Sequence, residues 1–147
     1  MSHIVDTSLL VRQADTNSQD RPIALNALKN LAVSGETLRV VPQNMVEFWV
    51  VATRPQAVNG LGLSVAEADK ERRRLEALFP LLPDLPALYS QWADLVNTFG
   101  VSGKPSHDAR IVAAMLTHGM THILTFNGAD FRGYAPLGIV VVDPAKV

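Results

Sequence analysis

Cysteine is absent from all 147 residues. Its absence excludes disulfides, thiolate zinc sites, iron–sulfur clusters and a cysteine nucleophile, so any metal must be held by oxygen or imidazole. Aromatic residues are scarce at 6%, and charge of either sign is balanced, with 13 Lys and Arg against 14 Asp and Glu, a formal net charge of −1. Such a chain has no global field to attract nucleic acid indiscriminately, and any basic surface must be local. Long hydrophobic runs are missing as well. The longest is a handful of residues, against about 20 for a membrane span, and no basic segment followed by an apolar stretch marks the N-terminus. No membrane association is expected, and the chain reads as a soluble cytoplasmic protein.

What is present is enough apolar material, 48% of residues, to fill one core. The length fits a single domain over residues 1–147, without staples. Short β-branched apolar runs mark buried strands at His3-Ile4-Val5, Leu38 to Val41, Thr121 to Thr125 and Ile139 to Val142. The run from Phe79 to Leu82 is a weaker candidate, because its proline suits an edge. Helical spacing covers Arg21 to Val33, Pro42 to Ala52, Val65 to Leu78, Pro86 to Phe99 and His107 to His118. Pro22, Pro42 and Pro86 stand where a first turn has no amide to lose, Ser64 with Glu67 reads as a capping box, and Ser106 can cap the last helix. Gly35, Gly100 and Gly119 follow helices and suit left-handed caps. Strands alternating with helices predict an α/β fold, a largely parallel sheet flanked by helices on both faces.

In such sheets ligands gather beyond the carboxyl ends of the strands. Four acids fall at positions of this kind. Asp6 closes the first strand, where it could equally cap the helix from Leu9 onward. Glu47 lies in the most apolar helix, Val46-Glu47-Phe48-Trp49-Val50-Val51, and must either pair with an arginine such as Arg54 or face a cleft. Asp108 starts a helix, where an acid also complements the dipole, and Asp130 follows the Thr121–Thr125 strand. Crowded within about 5 Å, such groups repel by roughly 3 kcal/mol per pair at an effective dielectric near 20. A divalent cation relieves this, and all-oxygen ligation favours Mg²⁺ or Mn²⁺ over zinc.

The opening Ile4-Val5-Asp6-Thr7-Ser8, the mid-chain Asn44-Met45-Val46-Glu47-Phe48, His107-Asp108-Ala109-Arg110-Ile111 and the closing Thr125-Phe126-Asn127-Gly128-Ala129-Asp130-Phe131 stand in one order across the chain. In these four segments together the chain resembles the PIN-domain ribonucleases, and among them the VapC toxins of bacterial toxin–antitoxin pairs. The resemblance implies that Asp6, Glu47, Asp108 and Asp130 bind Mg²⁺ or Mn²⁺ and serve catalysis. It implies that Ser8 and Thr125 supply supporting hydroxyls, that Asn127 stands where many members carry a carboxylate, that the substrate is RNA, and that an antitoxin protein is a partner.

Lys104, Arg110 and His107 are candidate RNA contacts, with Arg12, Arg54 and Arg132 near the same rim. The run Lys70-Glu71-Arg72-Arg73-Arg74 is interleaved with acids and reads as a solvated helix face. Trp49 and Trp92 fall at apolar helical positions that suit core or interface. The leucine-rich middle from Leu75 to Leu88 is too wide for one core face and suggests a homodimer. Two rival readings share the fold: a binding module for RNA or protein with a vestigial metal site, and a housekeeping nuclease without an antitoxin. An aspartyl phosphatase is disfavoured because Ser8 occupies the place of its second aspartate.

Overall fold

Four short strands, β1 (Ser2–Val5), β2 (Thr37–Arg39), β3 (His122–Leu124) and β4 (Val140–Val142), form one wholly parallel sheet in the order β2-β1-β3-β4. They are seen in a computed structural model that describes residues 1–147. Six α-helices cover the sheet: α1 (Thr7–Ala14), α2 (Arg21–Val33), α3 (Pro42–Thr53), α4 (Val65–Leu78), α5 (Leu88–Thr98) and α6 (Pro105–Thr117).

Successive strand residues point to opposite faces, and the core divides accordingly. Ile4 and Ile123 join one cluster with Ile111, Val112 and Met115 of α6 and Leu95 of α5. Their neighbours Val5 and Leu124 join the other, with Leu9 and Leu10 of α1, Phe48 of α3 and Leu75 of α4. Helices therefore lie on both faces, as the apolar strands require. No helix is long and apolar enough to cross a membrane.

Strand order positions the site. From β1 the chain crosses to β2 on one side, and the later strands β3 and β4 add on the other, so the direction of winding reverses between β1 and β3. Open parallel sheets bind ligands outside such a switch point, at the carboxyl ends of the strands. Here those ends are Val5 and Leu124, which face each other in register.

Several local expectations are corrected. The run Phe79–Leu82 contributes only a single bridge, Leu81 to Val40, since its proline cannot extend a ladder. The fifth helix begins at Leu88 rather than Pro86, which sits in the preceding turn. Ser106 does not cap α6. Pro105, with its preset φ, takes the first helical position, Lys104 becomes the N-cap, and Ser106 lies inside the first turn. The Ser64–Glu67 box is present in both directions, at 3.0 and 3.1 Å. The α4 charges pair along their own helix, Arg72 and Arg73 with Asp69, Arg72 with Glu76 and Arg74 with Glu71. Of the leucine-rich middle, Leu75 and Leu88 are taken up by the core, while Leu78 and Leu81 remain exposed.

Candidate active site

The β1–β3 register places Asp6 beside Thr125, although 119 residues separate them. The Asp6 amide continues the ladder by donating to the Leu124 carbonyl at 3.0 Å. Asp6 occupies the N-cap position of α1, yet its side chain makes no capping hydrogen bond. Instead its Oδ2 accepts from Thr125 Oγ1 at 2.7 Å and from Ser8 Oγ at 3.0 Å. Both hydroxyls are held for this purpose. Thr125 Oγ1 accepts from the Asn127 amide at 2.9 Å and Ser8 Oγ from the Phe126 amide at 3.2 Å, which leaves each hydroxyl proton for the carboxylate. Burial pushes the Asp6 carboxyl above its ordinary range, and the two hydroxyls pull it partly back.

Helix α3 brings the second acid. Asn44 Oδ1 accepts from the Val41 amide at 2.9 Å, tying down the start of α3, and its Nδ2 reaches Thr7 of α1 at 3.4 Å. One turn on, Glu47 is half-buried and does not pair with Arg54, whose Nη2 donates to the Asn59 carbonyl at 3.1 Å. Its partner is Gln43, whose Nε2 donates to Glu47 Oε1 at 2.9 Å and to the His107 carbonyl at 2.7 Å. Gln43 Oε1 in turn accepts from Arg110 Nη1 at 3.1 Å. This buried amide thereby joins α3 to the first turn of α6 and orients Glu47. Burial raises the Glu47 carboxyl, with the charge of Asp6 adding to it.

Asp108 stands in the first turn of α6. Burial first, then the negative charges of Asp130, Asp6 and Glu47, push its carboxyl up to about 6. A single cleft of about 390 Å³ collects Asp6, Ser8, Glu47, Asp108 and Asn127, with Lys104 and Arg12 on its walls. Asp130 is not on that wall. It lies exposed on the turn Gly128–Asp130 and reaches Asp108 through its charge. His107 and Arg110 line a neighbouring cavity rather than the acid cleft. Arg12 is steadied by Asp20 at 3.4 Å and by the Phe126 ring, 4.5 Å from its guanidinium carbon.

Against known proteins, the sequence matches the PIN domain over residues 3–135. The chain belongs to the PIN domain family. No curated protein matches the sequence. Among solved structures, this PIN domain is similar to the Mycobacterium tuberculosis toxin VapC20, described as cleaving the sarcin–ricin loop. That pair has 17% identity and a TM-score of 0.64, covering 95% of this chain and 97% of the other. It is similar also to a chain of the toxin–antitoxin complex from Klebsiella pneumoniae, with 18% identity, a TM-score of 0.67 and 97% of each chain covered. VapBC2 from Rickettsia felis, bound to a DNA fragment from its promoter, gives 11% identity and a TM-score of 0.67, covering 97% of this chain and 98% of the other. At such identities these likenesses speak for the fold.

The donor chemistry of this PIN domain fits a hard divalent cation. None of Asp6, Glu47, Asp108 or Asp130 belongs to an ion pair. No three acids or histidines close into a ready cage. Mg²⁺ asks for less than a cage, since it keeps several waters and takes one or two carboxylates from the protein.

Gln43 is the residue that sequence reasoning missed. The available signal was its spacing, four residues before Glu47 on one helix, where amide and acid meet. Gln43→Leu removes three hydrogen bonds, to Glu47, to the His107 carbonyl and from Arg110. The melting temperature, followed by circular dichroism, is expected to fall by about 5 °C. An unchanged melting temperature would show that the amide merely fills space.

Proposed function

We propose that this PIN domain is a Mg²⁺- or Mn²⁺-dependent endoribonuclease that hydrolyses RNA phosphodiester bonds, and that it acts as the toxin of a toxin–antitoxin pair. The observation that carries the reading is the convergence of Asp6, Glu47 and Asp108 on one cleft at the strand switch point, with no basic side chain bonded to any of them. Family membership supports nuclease chemistry, and the toxins among the similar structures support the toxin role.

Asp6 and Asp108 are the leading ligands for the ion, with Glu47 and Asp130 completing the acidic field. When bound, a divalent cation would supply Lewis acidity toward the scissile phosphate and toward a water nucleophile. The protein contributes position. Ser8 and Thr125 hold the Asp6 carboxylate in one orientation and leave its Oδ1 free of their hydroxyls. Gln43 holds one oxygen of Glu47 and leaves the other to take a proton from the attacking water. Lys104 and Arg12 stand where a phosphate backbone entering the cleft would meet positive charge.

An antitoxin segment has apolar surface to cover in the groove between α2 and α4, where Leu25, Leu28, Leu78 and Phe79 line a cavity of about 310 Å³. Homodimerisation through the exposed Leu81, outside that groove, belongs to the same proposal and is read from the mass in solution.

The purified protein is expected to cleave single-stranded RNA with Mg²⁺ or Mn²⁺ and to lose that activity in excess EDTA. Equal cleavage in EDTA would overturn the metal-dependent mechanism, and binding without cleavage under both conditions would favour the vestigial-site reading. Expression alone should arrest growth until a small partner encoded beside it is supplied. Growth unaffected by the active enzyme would leave a housekeeping nuclease.

A further inference from the structure

One turn of α6 forms a wall between two cavities. Asp108 lines the acid cleft, while His107 and Arg110, on the adjoining face of that turn, line a second cavity of about 470 Å³. Leu85, Leu88, Tyr89 and Trp92 give this second cavity an apolar and aromatic wall, with Asp84 and Ser106 at its polar side. The Tyr89 and Trp92 rings lie 5.8 Å apart and are tilted by 40°.

Its parts are held in place. Trp92 Nε1 donates to the Ser106 carbonyl at 2.9 Å, which fixes the indole against the start of α6. Arg110 is stretched between Asp84 Oδ2 and Gln43 Oε1, each at 3.1 Å. Because Gln43 also holds Glu47, hydrogen bonds run unbroken from the acid cleft to the mouth of the second cavity. Tyr89 does not serve the core, for 74% of its surface is exposed.

We propose that this cavity is a base pocket, which takes one unpaired nucleobase of a single strand whose backbone crosses the first turn of α6 into the acid cleft. This rests on the nuclease reading for its substrate class. Aromatic rings stack on any base through the π-face, and positive charge beside them tracks the backbone. Lys104, His107 and Arg110 recur every third residue, so they form a stripe leading from one cavity to the other. Arg110 pairs with Asp84, so the two charges cancel and the net positive charge of the stripe is that of Lys104.

The probe is a short oligoadenylate, together with the same strand carrying an abasic residue at each position in turn. Binding is measured in EDTA by fluorescence anisotropy and by emission of Trp92 in a Trp49→Phe chain. Oligoadenylate is expected to quench Trp92. Tyr89→Leu, an exposed site that leaves the melting temperature unchanged, should weaken binding about tenfold. One abasic position should cost the same factor in the parent chain and nothing further in Tyr89→Leu. Absence of binding, binding without quenching, or an unchanged affinity in Tyr89→Leu would overturn the base pocket. So would a Tyr89→Leu chain that passes from dimer to monomer with the abasic pattern intact, which would make this face an interface between copies. Cleavage of RNA with Mn²⁺ is scored separately. Quenching without cleavage keeps the pocket and discards the nuclease, and cleavage without quenching does the reverse.

Discussion

Asp108→Asn is expected to abolish cleavage, by about a thousandfold or more, while the metal-free protein at neutral pH melts about 3 °C higher. The two effects share one cause. The Asp108 carboxyl is pushed from its ordinary 3.8 up to about 6, by burial and then by the charges of Asp130, Asp6 and Glu47. The folded chain therefore binds this proton more tightly than the unfolded chain does. The stability contributed is complete only below the unfolded value near 3.8 and is lost as pH climbs from there through about 6. Above that pH the folded protein carries a charge it resists. Asparagine removes the charge and keeps the shape, and solvent around this half-buried group limits the gain to about 1 kcal/mol. Melting curves in EDTA from acidic to neutral pH test this: parent and variant should coincide in acid and separate toward neutrality. A large drop in the variant's melting temperature would make Asp108 a structural residue. Asp6→Asn is expected to fold as well, because both hydroxyl bonds reach a single oxygen and an amide oxygen can accept both.

Saturating Mn²⁺ should raise the melting temperature of the parent protein by about 8 °C at an ion concentration near a hundred times the dissociation constant. An ion that binds only the folded state stabilises by mass action, and here it also relieves the mutual repulsion of the acids. The effect depends on pH in a definite direction. Below about 6, Asp108 holds a proton that must leave before the ion enters, so affinity should weaken by about tenfold per pH unit. Isothermal titration calorimetry from weakly acidic to neutral pH reads both the constant and the protons released. A melting temperature indifferent to Mn²⁺, or an Asp108→Asn chain that binds the ion as well as the parent does, would remove the cation from the proposal.

The strands were legible because each is a short β-branched run covered on both faces, and their ends moved by only one or two residues in the fold. The acids were legible because Asp6 and Asp108 stand where a strand ends or a helix begins. Strand order was not legible. It follows from which helices pack on which face, and with it went the adjacency of Asp6 and Thr125, which only the β1–β3 register creates. Gln43 escaped for a similar reason: an amide on a helix reads as surface, and its bonds to His107 and Arg110 arise from packing of elements 64 and 67 residues apart. Ser106 misled because a serine ahead of a helix signals a cap, yet Pro105 claims the first position more firmly. Trp92 looked like core or interface by its helical spacing, and Tyr89 drew no reading at all. Only the exposure of Tyr89 and the tether on Trp92 separate a lined cavity from a packed interior.

The hydroxyl that steadies Asp6 comes from β3, and Asp108 comes from the helix just before it, both late in the chain. A nascent polypeptide leaving the ribosome therefore carries Asp6 through 119 further residues of synthesis before Thr125 is made. The pocket is complete only once α6 and β3 have emerged and β3 has docked beside β1. A translation product ending at residue 120 would hold every acid of the proposed site but Asp130, yet it would lack the β3 hydroxyl that orients Asp6, so the site would remain incomplete.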